Sequence, residues 1–315
     1  MNQLALTGTL EGLEVLTFDH FPRFSAAVER GQQLGFAYYF PYLISRARQN
    51  RSVVLVSEEQ GCMCVFVLRQ RDGKAHLDLA VAPTPLDPQV LGRCLARAND
   101  FNGDRSARVL RVDEKDVPAA SEVPGLRLKG RKSQYLYSPR EFSNLGGGRF
   151  RTLRRNVARV QEMPNLEVRD YSPEHEEECR DLLRRWRKHH RDTHGTAGGF
   201  KTAARAIEMA KALSAPLLHG EVVLLDGKLV AFAFGGEIRP GLGCFFEAKS
   251  EVGIPGLSYF QRYSFLSKLT SFDLVNDGSD VGRPGLKQLK ESLRPAATHL
   301  EYRGTQRVRR QRRDI

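Results

Sequence analysis

Asp226-Gly227 stands between two apolar runs, Val222–Leu225 and Lys228–Phe234. A two-residue hairpin turn needs left-handed backbone at both central positions, and Asp-Gly tolerates this best. A second hairpin reads at Glu58-Glu59-Gln60-Gly61, between strands Val53–Ser57 and Cys62–Arg69. The order of elements around the two hairpins is the same. In the first half, Phe21–Gly35 and Tyr39–Arg48 read as helices ahead of the hairpin. His76–Val81 follows as a strand, and Pro88–Asn99 has helical spacing through Val90, Leu91, Cys94 and Leu95. In the second half, Ser172-Pro173 and the acids Glu174, Glu176, Glu177 and Glu178 open a helix. Its apolar face is Cys179, Leu182, Leu183 and Trp186, and it closes on Arg187, Lys188, His189 and His190. After the second hairpin come a strand, Cys244–Ala248, and a helix opened by Gly253 and Gly256. Leu257, Phe260, Tyr263 and Leu266 line the apolar side of that helix. This order predicts an α/β fold with mixed sheets, built as two copies of one domain joined near residues 118–140. The expected division is 1–130, 131–303 and a basic arginine-rich tail, 304–315. No sequence repeat accompanies the repeated order.

A chain of 315 residues can bury two cores. Its longest apolar runs, near Val222–Leu225 and Leu229–Phe234, are too short to span a bilayer. The start Met-Asn-Gln-Leu-Ala-Leu-Thr has no basic segment ahead of an apolar one, so no secretory leader is expected. An odd number of cysteines (62, 64, 94, 179 and 244) fits a reducing cytoplasm. The formal charge of +12 predicts attraction to a polyanion: nucleic acid, an anionic membrane surface or a phosphorylated substrate. Ten basic residues against one acid, Glu141, lie between Arg127 and Arg159. Six arginines against Asp314 follow from Arg303.

Several segments could carry chemistry. Gly146-Gly147-Gly148 leads into an arginine-rich helix that buries Leu153, Val157 and Val160. Arg149, Arg151, Arg154, Arg155 and Arg159 are left for phosphate oxygens, which suit guanidinium forks. Glu247 and Lys249, two apart on a strand, share one face and could bind a substrate amine or simply pair with each other. The stretch Asn276-Asp277-Gly278-Ser279-Asp280 is an acidic turn leading into a helix with Lys287 and Lys290, and Arg294 lies one turn further on. Such a turn can surround a phosphate or a developing oxyanion, or it can be a solvated connection. Ser250-Glu251-Val252-Gly253-Ile254-Pro255 departs from an acyl-CoA pyrophosphate loop at its first and last positions, so a plain helix cap is expected. His189, His190 and His194 lack a placed third ligand, and Cys62-Met63-Cys64 reads as strand packing, so no metal is expected.

Taken in order, three segments resemble the C-terminal catalytic domain of phosphatidylglycerol lysyltransferases and their soluble relatives. They are Gly147–Asn156, Phe246–Lys249 ahead of Gly253–Gly256, and Asn276–Pro295 followed by Tyr302. The resemblance spans roughly residues 135–303. It implies two tandem N-acetyltransferase-like (GNAT-like) domains that take an aminoacyl group from charged tRNA, with no cofactor beyond that co-substrate. Lys290 matches the family lysine, although Leu293 replaces the usual Phe. On this resemblance Lys290, helped by Arg294, would steady the tetrahedral oxyanion. Glu247 would hold an amine. From position alone, Lys249 is a second substrate-contact candidate, and Asp280 either fixes its turn or contacts the acceptor. Arg149, Arg151, Arg154, Arg155, Arg159, Arg309 and Arg310 would bind tRNA. The expected acceptor is a soluble amine or hydroxyl. The alternatives are a membrane lipid acceptor, an acyl-CoA donor, or a non-catalytic protein that binds RNA or a membrane surface.

Overall fold

A computed structural model describes residues 10–47, 52–195, 198–213 and 217–306. In chain order the first elements are β1 (Glu14–Val15), α1 (Phe21–Arg30), α2 (Phe40–Ala47), β2 (Ser52–Glu59), β3 (Cys62–Arg71) and β4 (Lys74–Leu79). Next come α3 (Pro88–Asn102), β5 (Arg108–Val112), α4 (Val117–Ala120), β6 (Leu126–Tyr137) and α5 (Arg151–Gln161). Then follow β7 (Leu166–Asp170), α6 (Glu176–His194), α7 (Phe200–Ala210), β8 (His219–Leu225) and β9 (Lys228–Arg239). The last are β10 (Leu242–Ser250), α8 (Leu257–Lys268), β11 (Leu274–Ser279), α9 (Pro284–Ser292) and β12 (Ala297–Gln306). The run from β1 to β6 is repeated, element for element, from β7 to β12 once α5 is set aside. In each copy three hairpin-linked strands are antiparallel, and a crossover helix then returns the chain parallel to the third: β4 with β5, and β10 with β11.

The described residues of Met1–Gln33, Arg46–Arg131 and Leu300–Ile315 form one compact unit. Its strands lie in the order β1-β2-β3-β4-β5-β12-β6. Phe66, Leu77, Leu79 and Val109 from the sheet pack with Val90, Leu91 and Leu95 of α3. The described residues of Leu34–Ser45 and Lys132–His299 form the other unit, with strand order β6-β11-β10-β9-β8-β7. Here Leu153 and Val157 of α5 and Phe260 and Phe265 of α8 pack on Phe245 and Val275. Helices α6 and α7 lie against β10 as well.

Both hairpin turns are as expected, with left-handed backbone at Gln60-Gly61 and at Asp226-Gly227. Helix α5 buries the expected Leu153, Val157 and Val160. The stretch 118–140 holds the boundary of the two units, between Arg131 and Lys132 on the strand β6; Leu126 and Leu128 face a core while Arg127, Lys129 and Arg131 are exposed. Two other points differ from expectation. Helix α7, unexpected, buries Ala203, Ala206, Ile207 and Ala210, which carry a weak apolar signal. Arg294 does not continue α9: the helix stops at Ser292, and Arg294 takes φ +55° ahead of Pro295, which disfavours helix at the residue before it. No helix among the described residues is long and apolar enough to cross a membrane.

Candidate active site

Parallel neighbours β10 and β11 run in register through Leu242–Leu274, Gly243–Val275 and Cys244–Asn276. Open α/β sheets hold ligands beyond the C-terminal ends of such strands, and two polar clusters meet that description. The first depends on a β-bulge. Phe245 pairs with Gly235, but Glu247 pairs with Phe234, so Phe246 is the inserted residue. Only glycine fits at 235, since a Cβ there would stand 2.3 Å from the Cys244 carbonyl oxygen. The bulge interrupts the strand's alternation. Phe245 and Ala248 stay on the α8 side, while Phe246 meets Phe36 and Tyr39, and Lys249 meets Trp186 of α6. The carboxylate Glu247 Oε2 accepts from Lys249 Nζ at 2.7 Å; the side chains are 14% and 9% exposed. Lys249 Nζ also donates to the Ala248 carbonyl and sits 4.9 Å from the Trp186 ring centroid. Glu247 Oε1 has no hydrogen-bond partner among the described residues. The pairing weighed from sequence is therefore present, yet it occupies only one carboxylate oxygen.

The second cluster surrounds Asp277 at the end of β11. Its carboxylate lies 3.1 Å from Lys290 Nζ and 3.3 Å from Arg262 Nε, and all three side chains are largely buried. Lys290 Nζ donates further to the carbonyls of Asp277 and Gly278, which commits its three N–H groups. As placed, Lys290 spends its N–H groups on protein acceptors, whereas the sequence reading has it steadying an oxyanion or lying on a solvated connection. Burial pulls its ammonium below the ordinary lysine range; Asp277 opposes that shift and Arg262 adds to it. Two cations, Lys290 and Arg262, thus flank the one carboxylate of Asp277, with Asp280 in the adjoining turn. The adjoining turn is fixed from several sides. Asn276 donates to Gln134 and to the Leu34 carbonyl and accepts from the Gly278 amide. Asp280 accepts from the Gly282 amide at 2.6 Å and from the Tyr135 hydroxyl at 3.1 Å. Burial alone would raise the Asp280 carboxyl. These two hydrogen bonds, with the charges of Lys132 and Lys287, hold it below the ordinary range. Burial, and then Asp280, push the Tyr135 phenol up to about 12. Between the anchors, Val281 takes φ +47° and is 62% exposed. That backbone is costly for a β-branched residue and marks a turn held under constraint.

The remaining expected residues are dispersed. Arg294 is exposed and donates to the Arg149 carbonyl, away from the Lys290 ammonium. Arg149 pairs with Glu141 at 2.8 Å. Arg154 is spent on the carbonyls of Leu145 and Gly147, so it closes the glycine loop. Arg151, Arg155 and Arg159 are exposed and make no ion pair among the described residues. Arg309 and Arg310 lie outside the described residues. His190 stacks on Trp186, with ring centroids 4.0 Å apart. Glu59, Cys64 and Cys94 bring ligand-capable atoms within 4.8 Å of one another, but Arg93 holds the Glu59 carboxylate and both thiols lie in the apolar core of the first unit. Helix α8 starts at Leu257 with Gly256 as its cap. A Cβ at Gly256 would stand 2.7 Å from the Asn156 carbonyl of α5, and the amides of Leu257, Tyr259 and Phe260 are already bonded to backbone.

Sequence reasoning missed Asp277 as a site residue in its own right, and it missed Arg262. Polar Asn276 and Asp277 follow directly on buried Val275 within one strand, and that was the available signal. Arg262 carried none, since it sits on an amphipathic helix among ordinary surface positions.

Two tandem N-acetyltransferase-like units with this site define an acyltransferase fold. The family described as phosphatidylglycerol lysyltransferase, C-terminal, matches residues 46–269. The chain belongs to that family and, with it, to the aminoacyl-tRNA-dependent aminoacyltransferases. Among solved structures it is similar to a conserved protein of unknown function from Bacteroides thetaiotaomicron, at 19% identity and TM-score 0.78, over 94% of this chain and 99% of that one. It is also similar to L-PGS from Bacillus licheniformis, at 14% identity and TM-score 0.67, over 91% and 92% of the two chains. FemX aligns at 10% identity and TM-score 0.64, over 92% and 96%. At these identities the likeness establishes the fold. No curated protein matches the sequence.

Proposed function

We propose that this chain moves an aminoacyl group from charged tRNA to a soluble amine or hydroxyl acceptor by direct transfer in the cytoplasm. The observation that carries the reading is Glu247: a half-neutralised carboxylate whose free oxygen Oε1 can take the ammonium of the aminoacyl group. The acceptor attacks the ester carbonyl, and a new C–N or C–O bond forms. The bond to the terminal ribose oxygen breaks, and the proton lost by the acceptor ends on that oxygen. The ester is already activated, so the step needs neither an enzyme-bound intermediate nor a further cofactor. The cations of Lys290 and Arg262 around Asp277 favour the developing oxyanion. Lys290 serves here as a positioning residue that fixes the end of β11. Asp280 holds the turn beside it. A soluble acceptor fits the surface of this unit, whose exposed large apolar side chains are single valines at 168, 252 and 281. The free cysteines fit a reducing compartment.

The test is transfer itself. Incubated with tRNA charged with labelled amino acids and a cell extract, the protein should move one label into a ribonuclease-resistant product. Turnover of acyl-CoA with every label left on tRNA would overturn the reading. For the donor's phosphates we favour Arg151, Arg155 and Arg159 of α5. Changing all three to Gln should weaken tRNA binding about tenfold and flatten the slope of log Kd against log salt by about two to three, the count of lost phosphate contacts. Titrations at four or five salt concentrations check this.

A further inference from the structure

The first unit carries a second basic surface, distinct from α5. On β12 and β6, Gly304 lies against Leu126, Leu128 and Val109, and Gly130 lies against Leu300. Leu126 and Leu128 of β6 and Tyr302 of β12 therefore face the core of this unit. Their neighbours in the alternation, Glu301 and Arg303 on β12 and Arg127, Lys129 and Arg131 on β6, face the other side, where Glu301 is already paired with Arg111 at 3.4 Å. Alternation on β5 and β4 puts Arg108 and Asp78 on that same side, opposite core residues Val109, Leu77 and Leu79. Arg69 of β3 joins them through its ion pair with Asp78. Arg108 pairs across with Thr305, two residues from Arg303, so Arg108 and Arg303 come from neighbouring positions of adjacent strands.

Asp78 cannot neutralise this face. It is fully buried, and it already accepts from Arg69 and from the Arg108 amide. Burial first, and then the charges of Arg108, Arg131 and Arg69, pull the Arg303 guanidinium below its ordinary value, against Asp78. Arg303 Nε and Arg69 Nε are both buried without a hydrogen-bond partner among the described residues. A buried N–H without an acceptor is costly, and like charges on adjacent strands repel. An anion with several oxygens along a line would relieve both. Among the described residues, none of the exposed large apolar side chains (Val15, Phe18, Val168, Val252, Val281) lies on β5, β6 or β12.

We infer that the face formed by Arg108, Arg131 and Arg303 is a docking surface for the phosphodiester backbone of RNA, holding the body of the tRNA away from its aminoacylated end. The choice of tRNA rests on the functional reading above. Arginine forks match successive phosphate oxygens, and contacts of this kind position a nucleic acid without reading its sequence.

The experiment uses the full chain with Arg108, Arg131 and Arg303 all changed to Gln, and a second variant with all three changed to Lys. Three quantities are measured: binding of uncharged tRNA across a salt series, co-sedimentation with phosphatidylglycerol vesicles, and transfer from full-length charged tRNA compared with a short aminoacylated RNA hairpin. The Gln variant should bind uncharged tRNA at least tenfold more weakly, with a salt slope flatter by about two. The Lys variant should keep most of the slope, which also shows that the strands still fold. The loss of transfer should be confined to full-length tRNA. Unchanged tRNA binding and slope would overturn the inference. So would a loss that falls on vesicles instead, or one equally large with the short hairpin. Loss of tRNA binding in a protein that proves to transfer nothing would leave the RNA face standing and remove only the functional reading.

Discussion

Replacing Lys290 by Met should lower stability by about 3–5 kcal/mol, the usual cost of removing one partner from a buried ion pair. The side chain of Asp277 is 3% exposed, and Lys290 supplies one of its two cations. Without it, the carboxylate keeps only Arg262 at 3.3 Å, and the carbonyls of Asp277 and Gly278 lose the donor they share. Methionine fills similar volume, so the loss reports the missing charge and hydrogen bonds rather than a cavity. The pair need not be a net source of stability. Burying the ammonium is itself unfavourable, as its lowered proton affinity shows. What is costly is leaving half the pair behind. Lys290→Met combined with Asp277→Asn should therefore be more stable than Lys290→Met alone, a non-additivity expected of residues in direct contact. Urea unfolding of the three variants measures this. A Lys290→Met protein with the midpoint of the parent would contradict the burial argument. So would a double variant less stable than the single one. Transfer should fall in Lys290→Met even under conditions where it stays folded, because the end of β11 is no longer held.

The parts of this fold that were legible in the sequence are those set by local chemistry. Gln60-Gly61 and Asp226-Gly227 sit where left-handed backbone is required, and the apolar spacing of Leu153, Val157 and Val160 could only suit a helix face. Strand β6 was hidden because its exposed charges read as one run. The alternation of Leu126 and Leu128 with Arg127 and Lys129 was the better guide. At the site, Glu247 and Lys249 were correctly placed on one face by period two. The inserted Phe246 that joins them there leaves no trace in a strand of mixed apolar residues. Lys290 looked like a surface lysine because its partners lie elsewhere in the chain, Asp277 on a strand and Arg262 on another helix. Pairings that depend on topology are invisible to spacing, and it is these pairings that bury Lys290.

Glu247→Gln should reduce kcat/KM for transfer about 10- to 100-fold, corresponding to the roughly 1.5–3 kcal/mol carried by a hydrogen bond to a charged group. The change keeps shape and leaves Lys249 an acceptor oxygen, so the bulge should survive. What disappears is the negative charge that, on the proposed function, faces the aminoacyl ammonium. That ammonium is present both in the bound donor and in the transition state, so most of the loss should fall on KM rather than kcat. The donor can be varied to show which amine is held. If Glu247 binds the α-ammonium, a donor with its α-amine acetylated should be poor with the parent protein and insensitive to Glu247→Gln. If it binds a side-chain amine, the α-blocked donor should respond as fully as the free one. A Glu247→Gln protein with the parent's KM and kcat for every donor would take Glu247 out of substrate binding, leaving its pairing with Lys249 as a prop for the bulge.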